Sequence, residues 1–143
     1  MIVVNRRLCL FALIMAAAPL QIARSQTSGI QGAWIEEGTP CASVFVPTKN
    51  AVDFKRPASA FAPAFIIAPR RLSTPLANCR VVGVIPSGER KIVRLSCTTS
   101  IATDSARVIL APSNDGGLYR FNAVDGGITS RYRLCNRDAL KSP

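Results

Sequence analysis

The stretch Asn78–Cys97, NCRVVGVIPSGERKIVRLSC, places Cys79 and Cys97 nine residues either side of Gly88. Two runs rich in β-branched residues flank Pro86-Ser87-Gly88-Glu89-Arg90. There proline fixes φ and glycine permits the reversal, so the segment predicts a β-hairpin. With a three-residue loop, Ser87–Glu89, the expected partners are Cys79 with Cys97, Val81 with Leu95, Gly83 with Val93 and Ile85 with Lys91. That face is apolar apart from Lys91 at the turn. The other face pairs Arg80 with Ser96, Val82 with Arg94 and Val84 with Ile92, and is mixed and basic. A slip of one residue would set each apolar face against the wrong partner. Directly opposed Cβ atoms lie ~4.5–5.5 Å apart, slightly more than a disulfide wants, so the even spacing suits a cross-strand bridge. Closing this loop contributes about 3 kcal/mol on the chain-entropy model.

Disulfides need an oxidising compartment, and the N-terminus supplies a route to one. Arg6 and Arg7 precede an uncharged run of eleven residues, Leu8–Ala18, and Ala23 and Ser25 stand at −3 and −1 of a cut before Gln26. These are the parts of a secretory signal peptide. The apolar run falls well short of the ~20 residues that span a bilayer. Residues 1–25 are therefore expected to leave, and 26–143 to form one domain with no membrane span after cleavage. Cys9 leaves with the leader and has no lipobox ahead of it. The four remaining cysteines, Cys41, Cys79, Cys97 and Cys135, predict two disulfides. The hairpin register favours Cys79–Cys97 and hence Cys41–Cys135. The alternative, Cys41–Cys79 with Cys97–Cys135, has two equal gaps of 38 residues and stays open. No pair has the two-residue spacing of a zinc knuckle or a thioredoxin-type redox site, and the chain has no histidine. No metal or other cofactor is expected.

Alternation and turn residues predict strands almost throughout: Ile30–Glu37, Cys41–Val46, Val52–Arg56, Ala64–Ala68, Cys79–Ile85, Arg90–Cys97, Ala106–Ala111, Leu118–Asn122 and Ile128–Cys135. Arg70–Asn78 reads as a loop. A short helix fits near Ser59–Ala62 or Thr99–Thr103, and Gln26–Gly29 and Asp138–Pro143 read as loose ends. Ser113–Gly117 and Asp125–Gly127 are hairpin turns, and no internal repeat is evident. About eight short antiparallel strands joined by hairpins predict an all-β, up-and-down barrel, whose closure removes exposed edges.

Gly32-Ala33-Trp34, on the first strand, resembles the Gly-x-Trp that opens lipocalin-like barrels. The resemblance implies that Trp34 plugs the barrel base. It also implies an arginine from the last strand over the tryptophan, a place open to Arg131 or Arg133, with Arg133 the preferred partner. In size the chain is similar to the bacterial periplasmic metalloprotease inhibitor family, exported small barrels with this Gly-x-Trp and a nearby cysteine. Those proteins insert the segment ahead of the first strand into a protease cleft, a role that would fall here to Gln26–Gln31. The chain departs from them in carrying four cysteines rather than two.

The net charge of +10 becomes +7 once Arg6, Arg7 and Arg24 leave with the leader, and arginines outnumber lysines 14 to 4. Arginine pairs bidentately with carboxylate and phosphate. Arg80, Arg94, Arg131 and Arg133, with Arg70-Arg71 nearby, are the candidate anion-binding face. Nucleic acid is not expected as a partner, given the export signal and the lack of interleaved aromatics. No triad, phosphate loop or carboxylate pair suggests catalysis, and no catalytic residue is expected. The expected function is that of a periplasmic or secreted, non-enzymatic barrel that binds a ligand or partner. An anionic envelope polymer or a secreted protease is the candidate partner.

Overall fold

The computed structural model describes residues 26–141; the expected leader lies outside the described residues. In chain order the elements are β1 (Gly32–Glu36), α1 (Cys41–Val44), β2 (Phe45–Pro47), β3 (Val52–Phe54), β4 (Ala64–Ala68), β5 (Arg71–Ser73), β6 (Asn78–Ser87), β7 (Arg90–Thr98), β8 (Thr103–Pro112), β9 (Leu118–Phe121) and β10 (Ile128–Leu134). Eight strands close into an antiparallel barrel in the order β1-β10-β9-β8-β7-β6-β5-β4, while β2 and β3 form a separate hairpin. From β4 to β10 each strand pairs with the next, and β1 closes the ring. Because directions alternate, the β4–β5, β6–β7 and β8–β9 turns share one end, the Gly88 end. The β5–β6 and β7–β8 turns share the other, the Cys79–Cys97 end; β9 pairs only with Ile109–Pro112 of β8, so the β9–β10 turn stops short of that end and is reached by Arg90.

Eight strands leave an interior that side chains can fill. Trp34, Phe65, Ile67, Leu72, Val93, Leu95, Leu110 and Tyr132 occupy it, with the Phe65 and Tyr132 rings 4.8 Å apart edge to face. A second core lies outside the barrel, where Phe45 and Phe54 cover the outward side chains Ala33, Ile35 and Ala64. Covered on both faces, β1 buries three consecutive residues, Ala33-Trp34-Ile35, instead of alternating. The Cys41–Cys135 bridge ties this outer layer to the end of β10, and Cys79–Cys97 joins β6 to β7. Both are the pairs favoured by the hairpin register, and the alternative connectivity is excluded. Two disulfides suit an oxidising, extracytoplasmic compartment. No helix among the described residues is long and apolar enough to cross a membrane.

Several expectations need correction. The β6–β7 turn has two residues, Gly88-Glu89, with Gly88 at φ +59°, the glycine position of a type II′ turn. That turn alone would set Cys79 against Thr98. A bulge at Val82 absorbs the extra residue and restores Cys79 to Cys97. Beyond the bulge Gly83 therefore pairs with Arg94, Val84 with Val93, and Ile85 with Ile92. Cys41–Val44 is a single helical turn, not a strand, and part of the expected Arg70–Asn78 loop is β5. Nor are Gln26–Gly29 loose. The Thr27 hydroxyl donates to the Pro69 carbonyl at 3.1 Å, and Lys91 Nζ donates to the Ser28 carbonyl. Thr27 and Ile30 are fully buried, so this segment seals the Gly88 end of the barrel.

Candidate functional site

The outer face of β5–β8 is built from four strands in continuous register. At the Cys79–Cys97 end, Ser73, Asn78, Thr98 and Thr103 form one row across them. Two residues up each strand, Arg71, Arg80, Ser96 and Ser105 form a second row. Arg94 and Arg107 pair in a third. At ~3.3 Å per residue the arginine rows stand about 7 and 13 Å above the first. All four arginines are exposed. The only carboxylate on these four strands, Asp104, pairs with Cys97 on the opposite face of β8, and its Oδ1 accepts the Ser105 N–H at 2.7 Å. The only ion pair among the described residues is Lys141–Asp138, in the C-terminal segment. Arg71 faces Arg80, and Arg94 faces Arg107, each without a counter-ion. Like charges directly opposed on a sheet destabilise it, so the free protein carries a repulsion that a bound anion would relieve.

Of the expected anion-binding residues, the structure thus brings Arg71, Arg80 and Arg94 together and adds Arg107. It does not bring Arg131 and Arg133 to them, because β8 and β9 separate β10 from β7. Arg131 lies 4.8 Å from the Tyr119 ring centroid and donates to the Tyr119 hydroxyl. Arg133 pairs with Ile35 on the outer face of β1, and its Nη2 donates to the Thr39 carbonyl at 2.8 Å. Trp34 lies in the interior on the other face of β1, so Arg133 does not cover it. Instead the indole Nε1 donates to the Ile30 carbonyl at 2.9 Å, and Ile30 belongs to the sealing segment. Gly32 is required here, with φ +140° and a Cβ position that would collide with Leu134.

Two features escaped the sequence reading. One is an apolar row, Ile85, Ile92, Ile109, Phe121 and Ile128, running in register across β6–β10. It lies on the face opposite the interior side chains Val84, Val93, Val108 and Leu110. The Arg90 guanidinium stacks 3.8 Å from the Phe121 centroid and donates to the Ala123 and Val124 carbonyls, screening the centre of the row. The other is a recurring turn. In Ser73-Thr74-Pro75-Leu76-Ala77-Asn78 and Thr98-Thr99-Ser100-Ile101-Ala102-Thr103, the threonine N–H donates to the alanine carbonyl at 2.9 Å in each. The threonine Oγ1 accepts the alanine N–H, at 3.0 Å in the first turn and 3.2 Å in the second. Side-chain pairs close both: Ser73 with Asn78 at 3.2 Å, and Thr98 with Thr103 at 3.2 Å. Thr48 and Ala51 repeat the pattern between β2 and β3. The signal was Thr-x-x-Ala between strands, and in the second instance it replaces the helix expected near Thr99–Thr103.

No protein-family model matches the chain, and neither curated proteins nor solved structures match it.

Proposed function

We propose that this is an exported, periplasmic or secreted, non-enzymatic binding protein whose arginine face on β5–β8 holds an anionic surface of the cell envelope. The observation that carries the reading is the facing of Arg71 by Arg80 and of Arg94 by Arg107, with no carboxylate on that face. Guanidinium forks exposed in two rows match phosphate or carboxylate groups repeated along a polymer or across a surface. The filled interior argues in the same direction, since a ligand held inside the barrel would have to displace Trp34, Phe65 or Tyr132. A protease-inhibitor role rests on the Gly32-Ala33-Trp34 resemblance, and would require buried Thr27 and Ile30 to leave the barrel end.

The test is retention on an anionic matrix. Retention of the parent protein should fall steeply with salt, because exposed charge pairs are screened beyond ~8 Å at physiological ionic strength. Arg80→Gln with Arg94→Gln should elute at clearly lower salt with a thermal transition no lower than the parent's, since the substitutions relieve both like-charge pairs. Retention indifferent to both salt and the double substitution would refute the reading.

A further inference from the structure

Leu76 and Ile101 occupy equivalent positions in the two threonine turns, and they are 60% and 93% exposed. Both turns lie at the Cys79–Cys97 end of the barrel, side by side, because Asn78 after the first pairs directly with Thr98 before the second. Phe61, 93% exposed, precedes the first residue of β4 by three positions and so lies towards the same end. From the arginine face and these tips together, we infer that the anionic surface is a lipid bilayer. Leu76 and Ile101 enter the headgroup–acyl boundary while Arg71, Arg80, Arg94 and Arg107 engage lipid phosphates. The inference rests on the proposed binding role of the arginine face and names its partner.

Three observations carry it. A soluble polyanion has no use for exposed aliphatic tips, whereas an interface takes apolar groups about 5–10 Å deep and rewards cations just outside. The arginine rows, about 7 and 13 Å above the Asn78–Thr98 row, stand where headgroup phosphates would be when the tips are inserted. The tips are also held before binding. Each turn is fixed by its threonine, and the Cys79–Cys97 bridge, one residue above the Asn78–Thr98 pair, locks together the strands that carry them. Presenting them costs little further ordering.

The experiment compares the mature protein with Leu76→Ser/Ile101→Ser in two assays: flotation with phosphatidylglycerol–phosphatidylcholine vesicles, and binding to soluble polyphosphate. The parent should bind both, and should ignore vesicles of phosphatidylcholine alone. The double variant should bind polyphosphate like the parent while its vesicle affinity falls about 10–100-fold. In a second readout, Ile101→Trp should emit fluorescence quenched by brominated acyl chains, whereas the parent's interior Trp34 should not. Equal vesicle binding by parent and double variant would overturn the inference. So would parent binding to polyphosphate but not to vesicles, an outcome that leaves the arginine face standing. Self-association of the parent abolished by the double substitution would reassign the tips to a second copy of the chain. Parent binding to neither probe would remove the underlying reading as well.

Discussion

The two ends of the barrel use their side chains differently. At the Gly88 end Lys91 is engaged by the Ser28 carbonyl, the Trp34 indole by the Ile30 carbonyl, and Thr27 by the β4–β5 turn. At the Cys79–Cys97 end Leu76 and Ile101 point into solvent, and the arginines above them face one another. One end invests its polar groups in closing the chain on itself, while the other leaves cations and aliphatic tips without internal partners. Stability should therefore respond most to the sealed end and binding to the open one.

The largest effect should come from Trp34→Ala. It would leave a cavity beside Ile30, unseat the sealing segment, and cost roughly 3–5 kcal/mol by denaturant unfolding. Trp34 fluorescence should be blue-shifted and protected from quenchers. A solvent-like emission maximum in the folded protein would break the contrast between the ends. Next, replacing Cys79 and Cys97 together by alanine should cost about 3 kcal/mol from the unfolded-state loop. The Leu76 and Ile101 tips should loosen too, which hydrogen exchange at Ala77 and Ala102 would register. Unchanged protection there would show that the threonine turns hold without the staple.

The smallest effect concerns the β8–β9 turn at the sealed end. The Ser113 hydroxyl and then the Gly117 N–H hold the Asp115 carboxyl below its ordinary range. A folded value below the unfolded one contributes stability above the unfolded pKa of ~3.9, and that contribution is lost as pH falls through the folded value. Any response should thus be confined to pH below about 4. An NMR titration should show Asp115 returning towards the ordinary value in Ser113→Ala.

The fold and its staples were legible because they follow from strong local signals. Gly88 centres a hairpin, and the cysteines flank it evenly. The bulge at Val82 was only partly legible: Gly83, a glycine inside a strand, is a bulge signal, but it does not tell which neighbour is the extra residue. The turn at Cys41–Val44 was misread because Cys-Ala-Ser-Val-Phe-Val alternates well enough to pass for a strand. Arg80 and Arg94 were found on the hairpin's basic face, but Arg107 depended on the β7–β8 register. That register is set by the Thr99-x-x-Ala102 turn, a segment whose sequence also fits a short helix. Grouping Arg131 and Arg133 with them failed for a topological reason: closure brings β10 beside β1, and its arginines find Tyr119 and the Thr39 carbonyl.

The proposed binding face is the set of β5–β8 arginines left without counter-ions, whereas the arginines of β10 are committed to the protein itself. The direct test is polyphosphate affinity as a function of salt for two matched sets of substitutions. Replacing Arg80 and Arg94 by glutamine should lower the affinity clearly and flatten its salt dependence. Replacing Arg131 and Arg133 should leave both close to the parent. Equal losses in the two sets would mean that net charge alone governs binding, and would contradict the claim.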